Sequence, residues 1–225
     1  MKTRQTGFTL IEIAIVLVII GLLLGGILKG QEMITQAKIK NVVNDFNGIT
    51  AAINSYQDRY RALPGDDLNA AGRWGTGVIS GDGNGVFCTG TCTTPPSYNN
   101  PVTTTVSAPE VNLFWWHLRL AGFVGGTTAA GTGSSASQPS NAANGIMGVQ
   151  TTGLGFTSNI VCSSNLPDKI ALAVDTQMDD GTSTTGQVRG MVQTGPNPST
   201  LAANAAPTAA YAETGQNQYL LCKSL

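Results

Sequence analysis

Met1-Lys-Thr-Arg-Gln-Thr-Gly7-Phe8-Thr-Leu-Ile-Glu12 opens the chain, and from Phe8 an apolar run continues to Leu28. Fifteen of those twenty-one positions are Phe, Leu, Ile or Val, and only Thr9 and Glu12 are polar. As an α-helix the run rises about 31 Å, close to the thickness of a bilayer's hydrocarbon core. Lys2 and Arg4, with no acid before Glu12, predict that the N-terminus stays in the cytoplasm and the remainder crosses the membrane. A secretory signal peptide would have a shorter apolar region followed by a small-residue cleavage site. Here Lys29-Gly-Gln-Glu32 follows the run, and the small residue, Gly7, precedes it.

Glu12 is out of place in such a helix. A carboxylate at that depth costs about 2.5 to 3.5 kcal/mol, while the apolar residues return about 5 to 9 kcal/mol, so insertion survives. An intramembrane acid is read as functional and in need of a cation. No Lys or Arg lies between Glu12 and Lys29. Cutting the chain after Gly7 would supply one, the new amino group of Phe8.

Gly7-Phe8-Thr9-Leu10-Ile11-Glu12 and its apolar run resemble the class III signal of type IV prepilins and type II secretion pseudopilins. The resemblance implies cleavage between Gly7 and Phe8 by a prepilin peptidase, N-methylation of Phe8, and extraction of the helix into a filament core. Glu12 would there pair with the Phe8 amine of a neighbouring subunit. It also implies a precursor in the bacterial inner membrane with its head in the periplasm, and an inner-membrane assembly platform and secretin as partners. The product would be a cell-surface filament serving adhesion, motility or DNA uptake, or the short pseudopilus of a secretion system, or a filament carrying an adhesive head.

Charged residues make up 11% of the 225, with a formal net charge of −1. Removing Lys2 and Arg4 with residues 1–7 leaves ten basic against thirteen acidic side chains. Such a balance offers no electrostatic case for nucleic-acid binding. Nor does the sequence present a nucleophile with its base, a phosphate-cradling loop, or paired acids in an identifiable cleft. The reading is a non-enzymatic subunit.

Beyond Lys29 the apolar residues Val42, Phe46, Ile49, Ile53, Tyr56 and Tyr60 recur at alternating spacings of four and three, one stripe along an α-helix. No proline interrupts Phe8 to Leu63, and Arg61-Ala-Leu-Pro64-Gly65 supplies the stop. The predicted helix is about 80 Å long, a filament-core segment over 8–28 joined to an amphipathic half over 29–63. Where many pilins carry a proline, this chain has Lys29. Gly21, Gly25 and Gly26, each costing about 1 kcal/mol of helix propensity, allow local unwinding of the assembled helix between Gly21 and Lys29, or close helix packing instead.

Residues 64–225 form the predicted head. Pro64-Gly-Asp66-Asp67, Gly81-Asp82-Gly-Asn84-Gly85 and Trp115-Trp116-His117-Leu118 resemble landmarks of a widespread group of prepilin-like proteins. Asp66, Asp67, Asp82 and Asn84 are candidate calcium ligands, since hard cations want carboxylate and amide oxygens on flexible loops. No Glu follows at the spacing of a full calcium loop, and Asx turns with glycines supplying positive φ account for the same residues. Asp175, Asp179 and Asp180 form a second candidate set, with a hairpin turn as the alternative. No other cofactor is indicated.

Ser107-Ala-Pro-Glu110 reads as a capping box opening a short helix near 108–121, stopped by Gly122. His117 is the only histidine, so a histidine-based cluster is unavailable. The Gly-, Thr- and Ser-rich stretch from Gly122 to Gly155 reads as a long surface loop, as does Gly195 to Gln218. Strand-like runs over Ser158–Ser163, Lys169–Asp175, Gly186–Gln193 and Tyr219–Ser224 place an antiparallel sheet across the amphipathic helix. The expected architecture is α+β, a pilin fold with a helical spine, a β-sheet head near 158–224 and a disulfide-bounded C-terminal region.

Four cysteines in an exported domain allow two disulfides in three connectivities. Cys88–Cys92 with Cys162–Cys222 is favoured. The first closes a small loop, and the second ties the last strand back to the sheet. A C-terminal bridge is also what the pilin resemblance implies.

Overall fold

The computed structural model describes residues 9–90, 96–102, 108–130, 133–200 and 205–225. Gly7, Phe8, Cys92 and Ser107 lie outside them, so the cleavage site, the Cys88–Cys92 pairing and the Ser107 end of the capping box do too. By its internal contacts the chain divides into two compact units between Lys38 and Ile39.

Helix α1, Leu10–Tyr60, is continuous over 51 residues. It is long and apolar enough to cross a membrane. In the first unit its large apolar side chains, from Leu10 through Leu28, are exposed. Gly21, Gly25, Gly26 and Gly30 have open space around them, and the single chain is helical through all four.

From Ile39 the same helix becomes one-sided. Ile39, Val42, Phe46, Ile49, Ile53 and Tyr56 are buried in the main core, as the spacing of four and three predicts. Helix α1 stops where Arg61 takes φ 55 and Pro64 follows, too close for another turn. A short helix, α2 (Ala70–Trp74), and α3 (Glu110–Leu120) come next. Ten residues of α3 are buried, with Val111, Phe114, Trp115 and Leu118 facing the α1 stripe within one core.

The sheet has strands β1 (Met147–Gly153), β2 (Phe156–Pro167), β3 (Val188–Val192) and β4 (Gln218–Ser224). Its order is β1-β2-β4-β3, every pair antiparallel. Cys162 and Cys222 face each other across β2 and β4 and are joined by a disulfide. The result is an α+β, pilin-like architecture.

Two expectations are corrected. Lys169–Asp175 is not a strand but lies in helix α4, Asp168–Met178. Asp168, Ile170, Ala171, Val174 and Asp175 are its buried positions, a helical spacing that an unbroken apolar run conceals; two alanines favour the helix further. Strand β1 lies inside the stretch read as surface loop. It is buried along nearly its whole length, so no apolar-polar alternation marks it. Its Gly148 packs so closely on the Tyr98 carbonyl that a Cβ there would have no room.

Candidate functional site

At the start of α1, Thr9 and Glu12 bond reciprocally. The Thr9 N–H donates to a Glu12 carboxylate oxygen at 2.8 Å, the Thr9 hydroxyl donates to the same oxygen at 2.7 Å, and the Glu12 N–H donates to the Thr9 hydroxyl oxygen. This is a capping box, Thr-x-x-Glu at a helix start. The sequence reading placed one at Ser107–Glu110 instead, although Thr9-Leu-Ile-Glu12 fits the same pattern. In the single chain, then, Glu12 has neutral partners from its own chain and stands at the head of an exposed apolar helix.

Residues 2–28 carry the prokaryotic N-terminal methylation motif. They match the family model of that description, which covers the class III signal of type IV pilins and pseudopilins. No curated protein and no solved structure matches the chain. The motif supports a substrate of prepilin type, and the apolar helix fits a precursor anchored in the inner membrane.

A second group of functional side chains gathers where the loops after α1 meet α3. The Gly65 N–H donates to His117 Nδ1 at 3.0 Å, and the Gly81 N–H donates to the Asp67 carbonyl. Both glycines are required by close approach: a Cβ on Gly65 would strike the Glu110 carbonyl, and one on Gly81 the Asp66 backbone. The fold thereby brings Asp66, Asp82 and Glu110 together, each offering a carboxylate oxygen within 4.8 Å of the others.

Asp66 is buried, and its carboxylate accepts the backbone N–H groups of Gly83, Asn84 and Gly85. Burial raises its pKa and those three donors pull it back. Asp82 is half-buried; the Gly90 N–H bonded to its carboxylate holds its pKa down. Glu110 is 1% exposed. One of its oxygens accepts the Asp82 N–H at 3.0 Å; the other is buried with no hydrogen-bond partner among the described residues. Burial first, then the two nearby aspartates, pushes its pKa up to about 7.

Two of the four sequence candidates are used otherwise. Asp67, 1% exposed at its side chain, pairs with Arg73 at 2.8 Å and accepts the Tyr56 hydroxyl at 2.7 Å and the Asn69 N–H. It ties α1 to α2, and burial with the Asp67 bond pushes the Tyr56 pKa up. The Asn84 side chain serves its own loop, donating to Asp82 and the Cys88 carbonyl and accepting the Val86 N–H. Glu110 was missed because it lies far along the chain and reads as a helix cap. Its signal is the one carboxylate in a helix, Glu110–Leu120, that buries ten of its eleven residues.

In the second acidic set each member is accounted for locally. Asp175 accepts the Tyr211 hydroxyl and the Gly181 N–H, Asp179 the N–H groups of Gln187 and Val188, and Asp180 the Thr182 N–H and Thr185 hydroxyl. These bonds build the turn from α4 into β3. His117 belongs to the framework as well. It is fully buried, its Nε2 lies 2.8 Å from the Ile79 carbonyl, and burial lowers its pKa to about 4. The neutral ring accepts at Nδ1 and donates from Nε2, stapling two loops to α3.

Proposed function

We propose that this chain is the structural subunit of a type IV pilus. The observation that carries the reading is the motif-bearing helix itself, whose apolar residues from Leu10 to Leu28 are exposed behind an acid at position 12. Exposed apolar surface of that extent demands a covering. Lipid provides it in the precursor, and copies of the same helix provide it in the filament.

Prepilin peptidase cuts between Gly7 and Phe8, removing residues 1–7, and Phe8 is N-methylated. Apolar helices then exchange lipid contacts for one another in an assembly driven by the inner-membrane platform and led outward through a secretin. Glu12 accepts the Phe8 amine of a neighbouring subunit, which sets axial register and avoids an unpaired charge in a dry core. Thr9 holds the carboxylate until that amine arrives. The head, periplasmic before assembly, becomes the filament's surface. A type II secretion pseudopilus uses the same helix chemistry and is the alternative product.

Mass spectrometry of filaments sheared from cells tests this directly. Recovery of a chain beginning at N-methylated Phe8 in surface filaments is the expected result. Recovery only from membranes, or with residues 1–7 still attached, rejects it. Processed chain that never leaves the periplasm, with secretion lost on its deletion, assigns the pseudopilus.

A further inference from the structure

Three carboxylates within 4.8 Å of one another, two of them buried, are an arrangement that needs compensation, because like charges at that distance resist joint ionisation. Nearby cationic side chains do not supply it. Arg73 is committed to Asp67 through both terminal nitrogens, and no described Lys or Arg pairs with Asp66, Asp82 or Glu110; the ion pairs among described residues are Lys29–Glu32 and Arg73–Asp67. Backbone N–H groups satisfy Asp66 and one oxygen of Glu110. The other Glu110 oxygen, on a side chain 99% buried by its 1% exposure, has no partner among the described residues. A buried carboxylate oxygen without a donor is costly, and here it belongs to a carboxyl group facing two more.

We propose that Asp66, Asp82 and Glu110 bind a divalent cation, calcium, at the junction of the 64–67 loop, the 81–85 loop and the start of α3. The donor set is all oxygen, which selects a hard cation over zinc or copper. Calcium suits it better than magnesium, because the three carboxylates come from separate segments and calcium tolerates irregular coordination completed by water, whereas magnesium demands a near-ideal octahedron. The assignment keeps Asp66 and Asp82 from the sequence reading, replaces Asp67 and Asn84 with Glu110, and is independent of how the chain assembles. The ion would join segments sixteen and twenty-eight positions apart in sequence, so its loss would loosen the junction that seats α3.

The test uses the full chain in detergent micelles, stripped with chelator and titrated with calcium chloride by calorimetry and thermal melting at pH 7.5. The expected result is one calcium per chain and a melting temperature raised by about 5 °C at a hundredfold excess over Kd, with a smaller response to magnesium chloride. Glu110→Gln and Asp82→Asn should each weaken calcium binding at least about tenfold. In chelator, Glu110→Gln should melt no lower than wild type, because the amide removes one of three like charges held within 4.8 Å of one another. No heat and no melting shift in the folded wild type overturns the proposal, as does wild-type calcium affinity in both variants, which would move the ion to another acidic group. Should Glu110→Gln fail to fold, the wild-type titration and Asp82→Asn still decide.

Discussion

His117 accepts the backbone N–H of Gly65 at 3.0 Å, across 52 positions of sequence, and can do so only as a neutral ring. Protonation would place a hydrogen on Nδ1 facing that N–H, in a site closed to water.

The pH dependence follows from that contact. Folding lowers the His117 pKa to about 4 from its ordinary value near 6.5, so between those limits the unfolded chain binds the extra proton. Stability therefore falls as pH drops through that window, by about 3 kcal/mol for this group. Urea denaturation of wild type and His117→Gln in chelator-containing buffer, from pH 7.5 to 4, should show their stability difference narrowing by roughly that amount. Parallel curves would refute the assignment.

Glu12→Val should insert into the membrane at least as well as wild type, since it removes a cost of about 2.5 to 3.5 kcal/mol. Filament yield should nevertheless collapse, because the incoming Phe8 amine would then meet no carboxylate. Membrane fractionation with filament counts checks both halves of the statement. Normal yield from Glu12→Val ends the pairing role.

The Cys162–Cys222 bridge closes a sequence separation of 60 residues, which in the chain-entropy model contributes about 4 kcal/mol. Replacing both cysteines with serine should lower the stability of the head by about 2 to 5 kcal/mol, read as a shift in the denaturation midpoint. Peptide mapping without reduction should recover the two halves linked.

Tyr56→Phe removes the hydroxyl that donates to Asp67 and should cost about 1 to 2 kcal/mol. Asp67→Ala should cost more, about 3 kcal/mol, since it also strands Arg73 and the Tyr56 hydroxyl in a largely closed site. Equal losses in the two variants would show that the Arg73 pair contributes nothing.

What could be read in advance follows where the physical signal is local. Helix α1 announces itself through a proline-free stretch that is apolar nearly throughout to Leu28 and striped at spacings of four and three from Val42. The end strand with Cys222 reads correctly because a bridge and an apolar run coincide. Strand β1 does not, since Gly148 and Gln150 are set by what packs on them, Tyr98 and its backbone, and those partners lie about fifty positions away. Helix α4 hides for a different reason: Ile-Ala-Leu-Ala-Val is apolar at every position and so carries no period. In the acidic junction, Asp66 and Asp82 stand out by their glycine neighbours, whereas Glu110 is brought in by tertiary contact alone. Asp67 looks identical to Asp66 in sequence and is diverted by Arg73, six positions on.

Strand β4 follows β3 in the chain yet lies between β2 and β3 in the sheet. Among the described residues Val188–Val192 pairs with β4 and with no other strand, so it has nothing to join there until Gln218–Ser224 is present. A chain that emerges from its N-terminal side must therefore wait with an open seam. Arrival of those seven residues is the step that zips two strands at once, and the cysteine among them then locks the seam from which every earlier slip could still have been undone.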